Sequence, residues 1–256
     1  MWPRSDLLDL LGIRLPVLQA PMAGAGGVEL AVAVAAAGGL GALPCAMLDA
    51  QTITEQLGEV RASVDAPINL NFFCHSAPAP DEAGQQRWID SLSGYYQELG
   101  VAEPAPGAAV GRTPFGEQMC QLVEDLGPAV VSFHFGLPAG ELLQRVKRTG
   151  ARVISSATTV EEARWLQARG CDAVIAQGAE AGGHRGMFLA DNVLSQPTTM
   201  ALVPQVVDAV DVPVIAAGGI ADGRAIAAAF ALGASAVQVG TAYLFTPQAI
   251  ISRLHR

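Results

Sequence analysis

The chain has 256 residues, 51% of them apolar, and a formal net charge of −9. That length suits one large domain with a substantial core, and the acidic balance excludes the basic face that nucleic-acid binding needs and argues against an anionic membrane surface. The four cysteines, Cys45, Cys74, Cys120 and Cys171, form no CxxC pair; neither a zinc site nor a disulfide framework is expected, and reduced thiols in a cytoplasmic protein are.

The N-terminal MWPRSDLLDLLG carries two aspartates and no sustained apolar run, so it does not read as a secretory signal. A first strand is predicted at PVLQA (16–20). The apolar stretch 28–48 carries Glu29 at its start and is broken by Gly38, Gly39, Gly41 and Pro44, so it reads as a helix (28–38) and a strand, GLGALP (39–44), rather than a membrane span. A third strand follows at APINLNFF (66–73). Residues 74–116 are long for one connection and hold several prolines; an inserted helix is expected at about 81–99, a Pro/Gly-rich loop over 100–116, then a barrel helix over 117–127. Further strands are AVVSFHF (129–135), ARVISSA (151–157), DAVIAQG (172–178), VPVIAAG (212–218) and SAVQVGT (235–241), with helices at 159–170 and 222–233 that close on glycine.

Eight strands alternating with helices predict an α/β fold, a parallel (β/α)8 barrel in one domain over 1–256 with an insertion at about 74–116. A doubly wound open sheet is the alternative, but APMAGAGG lacks the GxGxxG spacing. Only 15 residues follow the predicted eighth strand, and a final barrel helix takes about that many by itself. The last barrel helix is therefore expected to be missing, with the outer faces of the first and eighth strands left open.

In such a barrel the active site lies at the carboxyl ends of the strands. Those ends are rich in glycine, amides and hydroxyls and poor in acids, unlike the paired carboxylates of a glycosidase. Glu180 and Asp222, the nearest acids, lack clustered histidines, so no metal site is expected. The turns with Gly218, Gly219, Gly240 and Thr241 suit a phosphate, held by backbone N–H groups and the helix N-terminus at Asp222. Asn69 and Asn71 share one strand face, and Gln19 and Gln177 end strands one and six. Such amides need partners, which a heteroaromatic ring or a water network would supply. His184 lies in the bare loop QGAEAGGHRG (177–186), and His134 closes strand four. Two histidines at neighbouring strand ends can do proton chemistry near neutral pH; His75 and His255 are the remaining two.

The segments PVLQAPMAG (16–24), NFFCH (71–75), SFHFG (132–136), QGAEAGGHRG (177–186) and PVIAAGGIADGRAIAAAFALGASAVQVGTAYL (213–244) together resemble the nitronate monooxygenases, formerly 2-nitropropane dioxygenases, and AGGHRG is similar to the class I members. The resemblance spans roughly residues 16–255. It implies an FMN barrel that oxidises alkyl nitronates, such as propionate 3-nitronate, with O2 to a carbonyl compound and nitrite, without NAD(P)H, and it leaves homo-oligomerisation open. It further implies that His184 is the catalytic histidine and that His134 and Met22 line the substrate pocket. By the same resemblance Ala20, Pro21, Met22, Asn71, Gln177, Gly182, Gly183, Gly218, Gly219, Gly240 and Thr241 hold the flavin. Family members continue beyond the segment matching ISRLHR into a last helix and a cap that adds tyrosines and a lysine to the pocket, so a truncated pocket is expected here. A related FMN barrel, the enoyl-acyl-carrier-protein reductase type, shares similar AGGH and AAGGIADG segments but uses NAD(P)H. A catalytically inert flavin-binding barrel is the reading from another class.

Overall fold

The computed structural model describes residues 2, 4–76, 81–104 and 113–255. In chain order the elements are α1 (Asp6–Leu11), β1 (Val17–Gln19), α2 (Val28–Ala37), β2 (Gly41–Pro44), α3 (Ala50–Ser63), β3 (Ile68–Phe73), α4 (Glu82–Leu99) and α5 (Glu117–Leu126). There follow β4 (Val130–His134), α6 (Gly140–Arg148), β5 (Arg152–Ala157), α7 (Val160–Ala168), β6 (Ala173–Gln177), α8 (Thr199–Val207), β7 (Val214–Ala217), α9 (Gly223–Ala231) and β8 (Ala236–Val239). All eight predicted strands form within their expected bounds. Two compact units result, Met1–His75 with Pro114–Arg256, and Ser76–Thr113. The second unit contains the predicted inserted helix, α4, which the Asp81 carboxylate caps by accepting from the Gly84 N–H at 2.8 Å and which ends at Gly100 in the left-handed conformation. Of the predicted 100–116 loop, residues 105–112 lie outside the described residues.

The first unit is the barrel. Its strands run in the order β1-β8-β7-β6-β5-β4-β3-β2, each neighbouring pair parallel. Alternation along each strand separates two environments. Leu18, Leu40, Val130, Ile154, Ile175 and Ile215 fill the interior, where Leu7 and Leu11 of α1 join them. The outward residues of β2–β5, such as Leu70, Val131 and Val153, pack under Ile53, Cys120 and Leu143 of α3, α5 and α6. Those of β5–β8 pack under Leu166, Val203 and Ala229 of α7, α8 and α9.

No α-helix follows β8 among the described residues; short 3-10 turns span Thr241–Phe245 and Arg253–His255. The outward face of β8 is nonetheless closed, against the expectation that it stays open: Val237 is 0% exposed and Val239 8%. Ala242 and Tyr243 of the first turn pack against the same cluster, so a single turn of chain does part of the covering that a helix was expected to do.

The barrel closes between β1 and β2 through one bridge, Leu18 to Leu40. Beyond it a side chain continues the ladder. The buried Gln19 amide donates to the Ala42 carbonyl at 3.1 Å and accepts from the Ala42 N–H at 3.1 Å, so Gln19 faces the seam and not a ring. Gly39 lets the chain entering β2 approach β1 this closely, since an added Cβ would lie 2.5 Å from the Val17 carbonyl oxygen; Gly41 lets β2 pack against α2, where a Cβ would lie 2.2 Å from the Ala31 carbonyl oxygen. Replacing Gln19 with Leu strands both Ala42 groups away from water, at about 1–3 kcal/mol for each. The expected outcome is a lower urea midpoint with the fold retained; an unchanged midpoint would show that the seam does not depend on this amide.

Candidate active site

Alternation from the interior aliphatics places Ala20, Asn71, Ser132, His134, Ser156, Gln177 and Gln238 on the inner face at the carboxyl ends of the strands. The result is a mouth lined by amides and small groups. The Asn71 amide donates to the Ser132 hydroxyl at 2.9 Å. One layer deeper, Asn69 Oδ1 is buried without a hydrogen-bond partner among the described residues. Gln238 is half-buried and in register between Leu18 and Ala217, and its side chain makes no hydrogen bond among the described residues. Sequence reasoning passed over Gln238, although it stands two residues after the interior Ala236 and shares its face. Next to it Gly240 packs closely on the loop after β1: an added Cβ would lie 3.3 Å from Ala20 Cβ and 3.7 Å from Met22 Sδ. Pro21 follows in the same half-buried loop.

The loop after β6 bends back over this mouth and is tied down at several points. Gln177 donates to the main-chain carbonyl of His184 at 2.9 Å and accepts from the Gly186 N–H at 2.7 Å. His134 Nε2 reaches the same His184 carbonyl at 3.2 Å, and its Nδ1 lies 3.0 Å from Ser156 Oγ. A carbonyl only accepts, so Nε2 carries the proton and Nδ1 accepts from the serine hydroxyl. The Arg185 guanidinium donates to the carbonyls of Ala179 and Ala181, closing the loop on itself. Gly186 has to be glycine here, because a Cβ would lie 2.7 Å from His134 Cε1. The exposed His184 ring stands at the mouth, 5.4 Å from the Phe73 ring and 5.8 Å from that of Phe135. Phe135 is the one non-glycine residue at positive φ (67°) among the described residues, a costly conformation for a bulky side chain. It sets its ring 4.6 Å from His134. Sequence reasoning did not find Phe135 or Ser156. His75 joins the same rings, 6.1 Å from Phe135. His255 lies on the C-terminal turn, paired with Ser252 Oγ at 2.9 Å.

Beside the amides are the glycine turns. Gly218 and Gly219 have φ of 122° and 68°. The N–H groups of Gly218, Gly219, Gly240 and Thr241 donate to no other described residue. Gly182 and the exposed Gly183 lie above them, and a Cβ on Gly182 would be 3.5 Å from Thr241 Oγ1. At the α9 N-terminus Asp222 accepts from the N–H groups of Arg224 and Ala225 at 3.0 and 3.1 Å, which leaves the Gly223 N–H as the donor not taken up by this cap. Glu180 is likewise committed: it accepts from the Thr199 N–H at 2.7 Å and the Thr199 hydroxyl at 2.9 Å. Burial opposes its ionisation, but these hydrogen bonds outweigh that and lower its pKa. The described residues contain no group of three or more potential metal ligands and no helix long and apolar enough to cross a membrane.

A closed ring of eight parallel strands with helices outside and a polar mouth at the carboxyl ends defines a (β/α)8-barrel enzyme. The chain belongs to the nitronate monooxygenase family, whose profile matches residues 4–256, and it is an oxidoreductase. It is 42% identical to a nitronate monooxygenase of Paraburkholderia phytofirmans over 99% of this chain and 69% of that one. A nitronate monooxygenase of Pseudomonas aeruginosa is also 42% identical, over 96% of this chain and 71% of that one. Among solved structures, the nitroalkane oxidase of Streptomyces ansochromogenes superposes with a TM-score of 0.87 at 38% identity, over 97% of this chain and 71% of its own. FabK of Thermotoga maritima, as an M276A mutant, gives 0.74 at 33%, over 98% and 69%.

The His134 ring is pushed from the ordinary 6.5 down to about 4, chiefly by desolvation, with the hydrogen bond to the His184 carbonyl acting the other way. Between those two values the unfolded chain binds a proton that the folded chain does not. Stability is therefore fully present above about pH 6.5 and falls as the pH is lowered toward about 4. His134→Gln should flatten this part of the profile in urea denaturation at pH 7 and pH 5. Equal pH dependence in the two proteins would show that another group titrates.

Proposed function

We propose that the chain binds FMN at the barrel mouth and oxidises alkyl nitronates with dioxygen, giving a carbonyl compound and nitrite. The observation that carries this reading is the pairing of two complementary halves at one mouth. The Gln238 side chain and Asn69 Oδ1, which no other described residue engages, stand on one side; unengaged N–H groups at Gly218, Gly219, Gly240 and Thr241 stand on the other. The first set suits a flat heteroaromatic ring and the second a phosphate. FMN, once bound, supplies the electron transfer.

The protein's own part is to place, orient and move a proton. Asn71 would hold a polar edge of the ring, and Gln177, whose amide already ties the His184 loop, would act on the ring chiefly by fixing that loop; Ala20, Pro21, Met22, Gly182 and Gly183 would hold the flavin by offering small or flexible groups at the mouth. His184, exposed at the mouth, pairs with the anionic nitronate and takes the α-proton from a neutral nitroalkane. His134 stays neutral, its two nitrogens engaged by Ser156 and the His184 carbonyl, and lines the pocket with its carbon edge. Phe73 and Phe135 supply an apolar wall for the alkyl part.

The test is a visible absorption spectrum of the purified chain before and after anaerobic addition of propionate 3-nitronate. Loss of oxidised-flavin absorbance is expected. A flavin spectrum that stays fixed with the nitronate but bleaches with NADH would turn the assignment to the reductase-type barrel, to which the likeness to FabK lends weight. His184→Asn is expected to keep the flavin and lose about 10²–10⁴-fold in turnover of neutral nitroalkanes. Steady-state rates at pH 7 check this; wild-type turnover in the variant would remove His184 from the mechanism.

A further inference from the structure

We propose that Glu162, on the outer layer of the barrel, is a positioning residue for His184: it anchors the far end of the His184 loop without reaching the substrate. The proposal rests on the role given to His184 above. Residues Thr159 to Glu162 read as a capping box, in which the glutamate ordinarily reaches back to the N–H of the capping residue. Half of that box is present, since Thr159 Oγ1 accepts from the Glu162 N–H at 3.1 Å. The carboxylate goes elsewhere. Oε2 accepts from the Thr158 N–H at 2.6 Å and the Thr158 hydroxyl at 2.8 Å, while Oε1 accepts from the N–H groups of Phe188 at 2.7 Å and Leu189 at 3.0 Å.

Glu162 is 0% exposed, and a carboxylate is kept in such a place only when its oxygens are well supplied with donors. Four donors meet it, and two of them belong to the His184 loop. A second contact from the same helix follows one turn later. The Trp165 ring meets the Phe188 ring edge-on at 5.0 Å, with the Arg169 guanidinium 3.8 Å above Trp165. Phe188 in turn fills the space over Gly136, where an added Cβ would lie 3.3 Å from its ring. The chain from 184 to 189 is thus pinned at its start by Gln177 and His134 and at its end by α7. Slack at Phe188 and Leu189 passes to His184 through only a few peptide units.

The test uses the full flavin-loaded chain carrying Glu162→Gln or Trp165→Leu. A glutamine keeps the size but turns an N–H2 group toward N–H donors. Two quantities are read: amide hydrogen exchange over 180–190, and turnover of neutral nitroethane relative to its preformed nitronate anion at the same pH. Glu162→Gln is expected to exchange faster over 184–189 and to lose tenfold or more in the ratio, because only the neutral substrate needs His184 aimed at a carbon-bound proton. Trp165→Leu should shift both in the same direction by less, and it decides the matter if Glu162→Gln does not fold. Wild-type exchange and ratio in both variants, or a fall of both activities in parallel with the folded fraction, overturns the proposal. If the wild type turns over neither substrate the nitronate reading fails, while the exchange measurement still decides whether Glu162 anchors the loop.

Discussion

Two side chains from different strands direct their donors to a single main-chain oxygen, the carbonyl of His184. Much of the barrel mouth follows from that shared acceptor. It fixes the tautomer of His134, which fixes the role of Ser156. It brings Gly186 so close to the imidazole that no side chain fits there. It also separates the main chain of residue 184, which is held from both sides, from its ring, which stands exposed at the mouth. A loop of small residues loses much conformational freedom when ordered, and these hydrogen bonds, together with those from Arg185 and Glu180, offset that cost.

The strands were legible in the sequence because a buried parallel strand is a short, largely apolar segment bounded by turns, and amides or serines in β1, β3, β5 and β8 interrupt that pattern without hiding it. The glycine turns were legible as positions because they fall directly after those strands, and the histidines because one ends β4 and the other lies in the loop that follows β6. What lies across a strand was not. Gln19 was placed at the end of its strand correctly, yet its amide serves the seam to Ala42, because only the assembled barrel shows how little backbone pairing β1 and β2 share. Asp222 and Glu180 stood at the rim as expected but serve as caps and staples, through N–H groups the sequence does not locate.

Local conformation was the second blind spot. Nothing in SFHFG marks Phe135 as the residue that turns left-handed, since Gly136 beside it is the usual occupant of that region and adopts it as well. Nothing in MWPRSDLLDLLG marks the leucines of the short α1 helix as part of the barrel interior, where Leu7 and Leu11 belong. Glu162 is an instructive case. A capping-box glutamate is common at a helix start, and only the folded chain shows one of its oxygens serving a loop 26 residues further along while the other stays on Thr158.

The commitment of both His134 nitrogens has a consequence for isotopes. With Nε2 donating to a peptide oxygen and Nδ1 accepting from Ser156, this imidazole has no free nitrogen with which to pass a proton inward. On the proposed chemistry, a hydrogen lifted from a substrate carbon onto the exposed His184 ring has bulk water as its open route of escape. A deuterium label carried in at that carbon is then diluted by solvent as soon as it leaves the substrate, and none is handed on into the barrel.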